Sequence, residues 1–280
     1  MREPAGRVSI FYVFQSGFSI YLTMFDLSEY GNLPKLAIAP NNIVLTEKEY
    51  ATVHLNSEQE HYLRRVLRLN AGDRLVVMDG CGHWWLGVLA IEELCHVQLL
   101  LEININHELP VQVNLIVGLP KNGFEDIIRS ATELGVYRLI PVISSRTVLK
   151  PSEQKWQRWQ KIAQEASEQS ERQVIPEVLP TQSYSNFFDS CSSIVDFANS
   201  QKFMAVTRMD AQPLKNLLTN ACNNQSIYLA TGPEGGWTTE EINRAIALNF
   251  QPISLGKRIL RAVTAPLTAL SIIASQLEGG

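Results

Sequence analysis

Ile227-Tyr-Leu-Ala-Thr231 is an apolar run of strand character that leads directly into Gly232-Pro-Glu-Gly-Gly236. Thr238 and Glu241 then form a capping box that starts a helix. A second strand, Ile253 to Leu255, ends in Leu255-Gly-Lys-Arg-Ile-Leu-Arg261 and is followed by a helix over Pro266 to Leu277. Two glycine-bearing loops therefore leave the ends of two strands of one α/β unit, which is where open sheets of this kind place ligands. Glycine lets the backbone approach a ligand closely and reach dihedrals that a Cβ forbids. The dinucleotide fingerprint GxGxxG and the phosphate loop GxxxxGK[ST] are both absent, so nicotinamide and nucleoside-triphosphate sites lack their usual support. The second loop offers apolar Ile259 and Leu260 for a flat ring, with Arg261 beside them.

Outward from these loops, strands alternate with helices. Val113 to Leu119, helix Phe124 to Leu134, Arg138 to Ile143 and helix Lys155 to Glu171 come first, then Ser193 to Ala198, Phe203 to Thr207 and helix Thr239 to Leu248. Such alternation predicts a mostly parallel sheet covered by helices. Lys35 to Glu108 differs, reading as a small, mostly-β domain with one helix capped by Ser57 and Glu60 and running to about Leu69. On that helix His61, Arg64, Arg65 and Arg68 recur as one basic stripe, either a phosphate-binding face or a solvated surface. Asp79-Gly-Cys-Gly82 makes a hairpin turn between two strands.

With 45% hydrophobic and 19% charged residues among 280, the chain can bury one large or two moderate cores, and nothing in it reads as disorder. The net charge of −4 gives no global nucleic-acid footprint, so RNA contacts must come from local patches. Residues 33–110 carry six basic and ten acidic side chains and residues 111–280 sixteen and fifteen, so the two parts differ in pattern more than in charge. Cys81, Cys95, Cys191 and Cys222 form no CxxC pair, and the five histidines add no metal-ligand spacing. Reduced thiols, a cytoplasmic location and no metal are the expectation. The apolar stretch Val8 to Met24 after Arg2 and Arg7 is broken by Gln15, Ser16 and Ser19 and has no cleavage site, so it predicts neither a signal peptide nor a membrane span. The expected division is an N-terminal extension (1–34), a small β domain (35–108) and an α/β domain (109–280).

Gly232-Pro-Glu-Gly-Gly236, Leu255-Gly-Lys-Arg-Ile-Leu-Arg261, Ala131-Thr-Glu-Leu-Gly135 and Glu168-Gln-Ser-Glu-Arg172, in this order-specific set, resemble the SPOUT class of trefoil-knotted RNA methyltransferases. Within it they are similar to the family that methylates N3 of a specific uridine in the 16S ribosomal RNA of the small subunit. The resemblance spans roughly residues 35 to 280 and implies an N-terminal PUA-like RNA-binding barrel, a C-terminal knotted SPOUT domain, a homodimer and S-adenosylmethionine as cofactor. It places Leu229, Thr231, Gly232, Pro233, Glu234, Gly235, Leu255, Gly256, Ile259, Leu260 and Thr264 around the cofactor. It makes Arg261, Arg172 and Glu234 catalytic candidates, and His61, Arg64, Arg65, Arg68 and Lys121 RNA-binding candidates. One departure stands out: the family usually reads Arg-Thr-Glu-Thr-Ala where this chain has Arg261-Ala-Val-Thr-Ala265. Two alternatives stay open, a knotted methyltransferase for another RNA position and a catalytically silent RNA-binding protein of the same fold, and the missing carboxylate at Val263 favours the second of these alternatives.

Overall fold

The computed structural model describes residues 9–16, 19–39, 42–45, 51–90, 96–148, 151–218 and 225–279. Two compact units divide between Asn106 and His107. Cys95 and Cys222 lie outside the described residues.

The N-terminal unit begins with an antiparallel hairpin of β1 (Ser9–Ser16) and β2 (Ser19–Asp26), followed by a 3-10 turn at Leu27–Asn32. Its main sheet has the order β3-β6-β7-β8-β5-β4. These strands are β3 (Lys35–Ala37), β4 (Ile43–Leu45), β5 (Ala51–His54), β6 (Arg74–Met78), β7 (Trp84–Leu89) and β8 (His96–Ile103). All pairs are antiparallel except β3 with β6. Leu36, Val53, Leu63, Leu75, Val77, Leu89 and Val97 form its core. Alternation along β7 buries Trp84 completely and leaves Trp85 half-buried, stacked on His83.

The helix of this unit corrects two expectations. Its capping box is formed by Asn56 and Gln59, one residue earlier than Ser57 and Glu60, because Asn56 is the residue in extended conformation whose side chain accepts the Gln59 N–H. Helix α1 (Ser57–His61) then loosens into a π turn at Tyr62–Val66, closed by Leu67 N–H donating to Tyr62 O at 3.0 Å. The wider turn rotates the side chains out of their 3.6-residue register, and Arg68 falls beyond the helix at φ 57°. The four residues thus do not form one stripe. His61, Arg65 and Arg68 are exposed, whereas Arg64 is partly buried and pairs with Glu60 at 3.5 Å.

The C-terminal unit holds a parallel sheet of order β11-β10-β9-β15-β13-β16-β14, with β12 also pairing to β10. In chain order its elements are β9 (Val113–Gly118), α2 (Phe124–Glu133), β10 (Arg138–Ile143), α3 (Glu153–Gln169), β11 (Glu177–Val178), β12 (Gln182–Ser183), α4 (Tyr184–Ser190), β13 (Gln201–Ala205), β14 (Gln212–Pro213), α5 (Leu214–Leu217), β15 (Ile227–Thr231), α6 (Thr239–Ala247), β16 (Gln251–Ser254) and α7 (Thr264–Glu278). Successive strand residues face opposite layers. Leu115, Phe203, Ile227 and Leu229 pack with α2, α3 and α7, while Ile116, Met204, Tyr228 and Ala230 pack with α4 and α6. Ile273 of α7 is fully buried in the first layer, with Ile272 and Leu277 half-buried at its edge. Pro266 is tolerated because it sits in the first turn of α7, where an N–H has no helical partner.

One expected strand is missing. Ser193 to Ala198 forms a 3-10 turn and further turns, since Ile194 N–H bonds to Cys191 O and Phe197 N–H to Ile194 O. Phe197 of this run is buried in the core with Ile194 packed at its edge, and Val195 is 93% exposed.

Candidate functional site

Three strands that lie side by side, β15, β13 and β16, release their chains at the same edge of the sheet. Residues Ala205–Met209 after β13, Gly232–Trp237 after β15 and Ser254–Leu260 after β16 line one cavity of about 290 Å³, with Ile242, Ala262 and Ala265 completing it.

The loop after β15 is held closely. A Cβ on Gly118, at the end of β9, would lie 2.5 Å from Pro233 Cδ and 2.9 Å from Pro233 N, so the loop crosses a neighbouring strand where only hydrogen fits. Gly236, at φ +69°, turns the chain and donates to Pro233 O at 2.8 Å. Glu234 Oε1 accepts the Lys121 backbone N–H at 2.9 Å. From the loop after β10, Arg146 Nη1 donates to Gly235 O at 2.5 Å and reaches Trp237 O at 3.4 Å. The capping box of α6 forms as expected, with Thr238 Oγ1 accepting from Glu241 N–H and Glu241 Oε2 from Thr238 N–H. Its other oxygen, Oε1, accepts the Ser145 N–H at 2.8 Å, so one buried carboxylate joins two loops.

The loop after β16 has far fewer ties. Gly256, at φ +118°, donates to Ser254 Oγ at 3.2 Å, and Arg261 O receives the N–H groups of Thr264 and Ala265 at 2.9 Å each. Ile259 is 67% exposed. Gly256, Lys257, Arg258 and Arg261 are exposed as well.

Of the expected cofactor residues, Gly232, Pro233, Glu234, Gly235, Leu255, Gly256, Ile259 and Leu260 line the cavity. Leu229 and Thr231 are fully buried in β15 and lie outside the lining, as does Thr264 at the start of α7. Arg261 follows the lining residue Leu260 directly. Arg172 is not brought to the cavity. It is 3% exposed, binds Glu108 through Nε and Nη2, and donates Nη1 to Thr132 O at 3.1 Å and Val136 O at 2.7 Å. Those bonds make it a clasp between the start of the unit, the end of α2 and the end of α3. The family motif drew attention to Arg172, but burial with partners on all three guanidinium nitrogens gives it a structural role in this chain. Lys121 is exposed, and its backbone rather than its side chain meets the site.

At the departure from the family pattern, Val263 Cγ2 lies 2.8 Å from the position a Cβ on Gly123 would take. An apolar contact with the turn before α2 occupies the place of a carboxylate. Sequence reasoning missed Ala205–Met209, Arg146 and Trp237. Only the sheet order, with β13 between β15 and β16, could have drawn attention to the first of these.

The cavity suits a nucleoside cofactor on two grounds. Its walls combine apolar Val206, Ile242, Leu255 and Leu260 with glycine backbone, and a Cβ on Gly232 would come within 3.2 Å of Gly236 Cα, so the cradle depends on the missing side chain. Among the described residues no group of three or more His, Cys, Asp or Glu side chains is placed to hold a metal ion, and no helix is long and apolar enough to cross a membrane.

Comparison with known proteins gives a consistent result. Residues 107–274 match the RNA methyltransferase domain family, and residues 55–100 match the RNA methyltransferase PUA domain family. A protein of Synechocystis named ribosomal RNA small subunit methyltransferase E is 46% identical over 247 residues, covering 87% of this chain and 78% of that relative. The protein of the same name from Bacillus subtilis is 33% identical, covering 82% of this chain and 93% of its own length. The crystal structure of the Neisseria gonorrhoeae protein of that name, bound to S-adenosyl methionine, superposes with a TM-score of 0.73 at 28% identity, covering 87% of this chain and 97% of that one.

Proposed function

Because the chain belongs to the RNA methyltransferase family that includes the ribosomal RNA small subunit methyltransferases E, we propose that it transfers the methyl group of S-adenosylmethionine to N3 of a uridine in small-subunit ribosomal RNA. The observation that carries this reading is the cavity between the strand-end loops, with its glycine cradle and apolar walls. Leu255, Leu260, Ile242 and the backbone of Gly232 to Gly235 would hold the cofactor there. Bound in the cavity, S-adenosylmethionine supplies an electrophilic methyl group on a sulfonium.

The chain's own contribution is alignment and charge. Methyl transfer is an in-line displacement, so holding the acceptor nitrogen opposite the leaving sulfur removes much of the entropic barrier. Uracil N3 must give up its proton, and the anion spreads to the flanking carbonyl oxygens. Arg261, exposed directly after the lining residue Leu260, is the cation assigned to those oxygens. Glu234 lines the cavity, and its Oε1 accepts the Lys121 N–H, so its first task is to hold the loop. The N3–H edge is paired in a duplex, so the substrate is an unpaired or extruded uridine. His61, Arg65 and Arg68 of the N-terminal unit would meet RNA phosphate, and the protein would work as a homodimer in the cytoplasm.

Incubation with labelled S-adenosylmethionine and small subunits from a strain lacking this gene, followed by mass spectrometry of the RNA, tests the reading. The expected product is one N3-methyluridine per subunit. A methyl on ribose or on another base would assign a different RNA position, and cofactor binding without incorporation would identify a silent RNA-binding protein. Light scattering tests the dimer.

A further inference from the structure

The C-terminal unit contains nine arginines. Six have partners: Arg129 with Asp126, Arg138 with Glu177, Arg158 with Glu125, Arg172 with Glu108, Arg244 with Asp189, and Arg146 with the carbonyls of the glycine loop. The remaining three are Arg208, Arg258 and Arg261. Among the described residues they make no ion pair or side-chain hydrogen bond; Arg208 and Arg258 line the cavity, and Arg261 directly follows the lining residue Leu260. Lys257, also a lining residue, is in the same condition. Arg208 is further distinguished by φ 60°, a left-handed conformation uncommon for a residue with a side chain and one that clusters at functional sites.

We propose that Arg208, Lys257 and Arg258 form a phosphate-binding rim that seats the RNA backbone at the mouth of the cofactor cavity. The inference rests on the function proposed above and adds the surface by which that site grips its substrate. Cofactor binding does not account for these charges. S-adenosylmethionine carries a sulfonium, an ammonium and one carboxylate, so it is a net cation, and the lining already contains three cations against the single carboxylate of Glu234. That excess repels the cofactor and suits a polyanion. Guanidinium groups match phosphate oxygens with paired N–H donors, and backbone contacts of this kind fix register while leaving sequence to be read elsewhere. Loop Ala205–Met209 lies outside the four family-like motifs, and here it brings a cation from β13 to the site where β16 brings two.

The test is the full-length triple variant Arg208→Gly, Lys257→Ala, Arg258→Ala. Glycine suits the left-handed position, the other two side chains are exposed, and a melting curve verifies folding. Arg261 stays intact so that chemistry is not perturbed. Two probes are used: a fluorescent single-stranded RNA oligonucleotide containing uridine, titrated over a range of salt, and S-adenosylhomocysteine by calorimetry. The expected result is RNA affinity weaker by about tenfold or more at low salt, with the slope of log K against log[salt] shallower by about two, since three lost phosphate contacts at roughly 0.7 each give that change. S-adenosylhomocysteine affinity should stay within about twofold of wild type. A variant whose RNA affinity and slope match wild type overturns the rim, and so does one that loses the cofactor analogue while keeping RNA. If wild-type protein fails to bind the analogue at all, the methyltransferase reading fails, and the RNA titration still decides the rim on its own.

Discussion

The loop after β15 and the loop after β16 line the same cavity but are built in opposite ways. Gly232–Trp237 is fixed by the Gly118–Pro233 contact, the Lys121 amide on Glu234, the Arg146 guanidinium on two carbonyls and the α6 capping box. Leu255–Leu260 has the short Ser254–Gly256 turn, half-buries Leu255 and Leu260, and exposes Lys257, Arg258 and Ile259. The first loop is thus ordered before any ligand arrives, and the entropy of ordering it has already been lost in folding. The second keeps its cations and Ile259 exposed, available to what binds. Firm tethering on one side and exposed charge on the other fit a site that must hold a small cofactor firmly while admitting a large substrate.

Substitutions can break or sharpen this contrast. The largest effect is expected from Gly118→Ala, whose methyl would meet rigid Pro233 at 2.5 Å. Overpacking of that kind costs about 1–3 kcal/mol. Both the melting temperature and S-adenosylhomocysteine affinity should fall, and calorimetry showing wild-type affinity would mean that the loop's position is not what the cavity needs.

Next comes Arg146→Ala, which removes the donor to Gly235 O and Trp237 O. Bonds from a charged donor contribute about 1.5–3 kcal/mol when buried, and exposure of Arg146 reduces this to about 1 kcal/mol, or roughly fivefold in cofactor affinity. Added guanidinium should restore part of the loss at a concentration where sodium chloride does not. No loss of affinity would remove Arg146 from the tethers.

A smaller effect follows for Gly256→Ala in the untethered loop. Nothing lies within 4 Å of the new methyl, so the penalty is only the strained φ of +118°, about 1 kcal/mol. Because few contacts oppose relaxation, thermal stability should hardly change while cofactor affinity drops modestly. A melting temperature that falls as far as in Gly118→Ala would show that the two loops are equally constrained.

The smallest binding effect is expected for Glu234→Gln, which retains Oε1 as acceptor for Lys121 N–H. Affinity should stay within about twofold, as the bond to the loop survives. A fall in kcat without a change in KM would then assign the carboxylate a part in removing the N3 proton.

Much of this was legible in the sequence because it depends on short range. The apolar run 227–231, the glycines that follow it, the Thr238–Glu241 capping box and the alternation of strands and helices are each set by neighbours within a turn or a strand length. Elements of the same kind failed where a local pattern had two solutions. Asn56 captured the cap that Ser57 and Glu60 offered, a π turn broke the spacing of Arg64 and Arg68, and Ser193 to Ala198 closed on its own carbonyls instead of joining the sheet.

Sheet order and long-range pairing were decided only in three dimensions. Nothing along the chain states that β13 lies between β15 and β16, yet that order brings Arg208 to the cavity. Nor does it state that Glu108 lies beside Arg172, 64 residues away, which removes from the site an arginine that its motif had nominated. Sequence determines which residues can approach a ligand, since backbone freedom and side-chain chemistry travel with each residue. Which of them do so depends on strands packed from distant parts of the chain, where burial and partner choice are settled together.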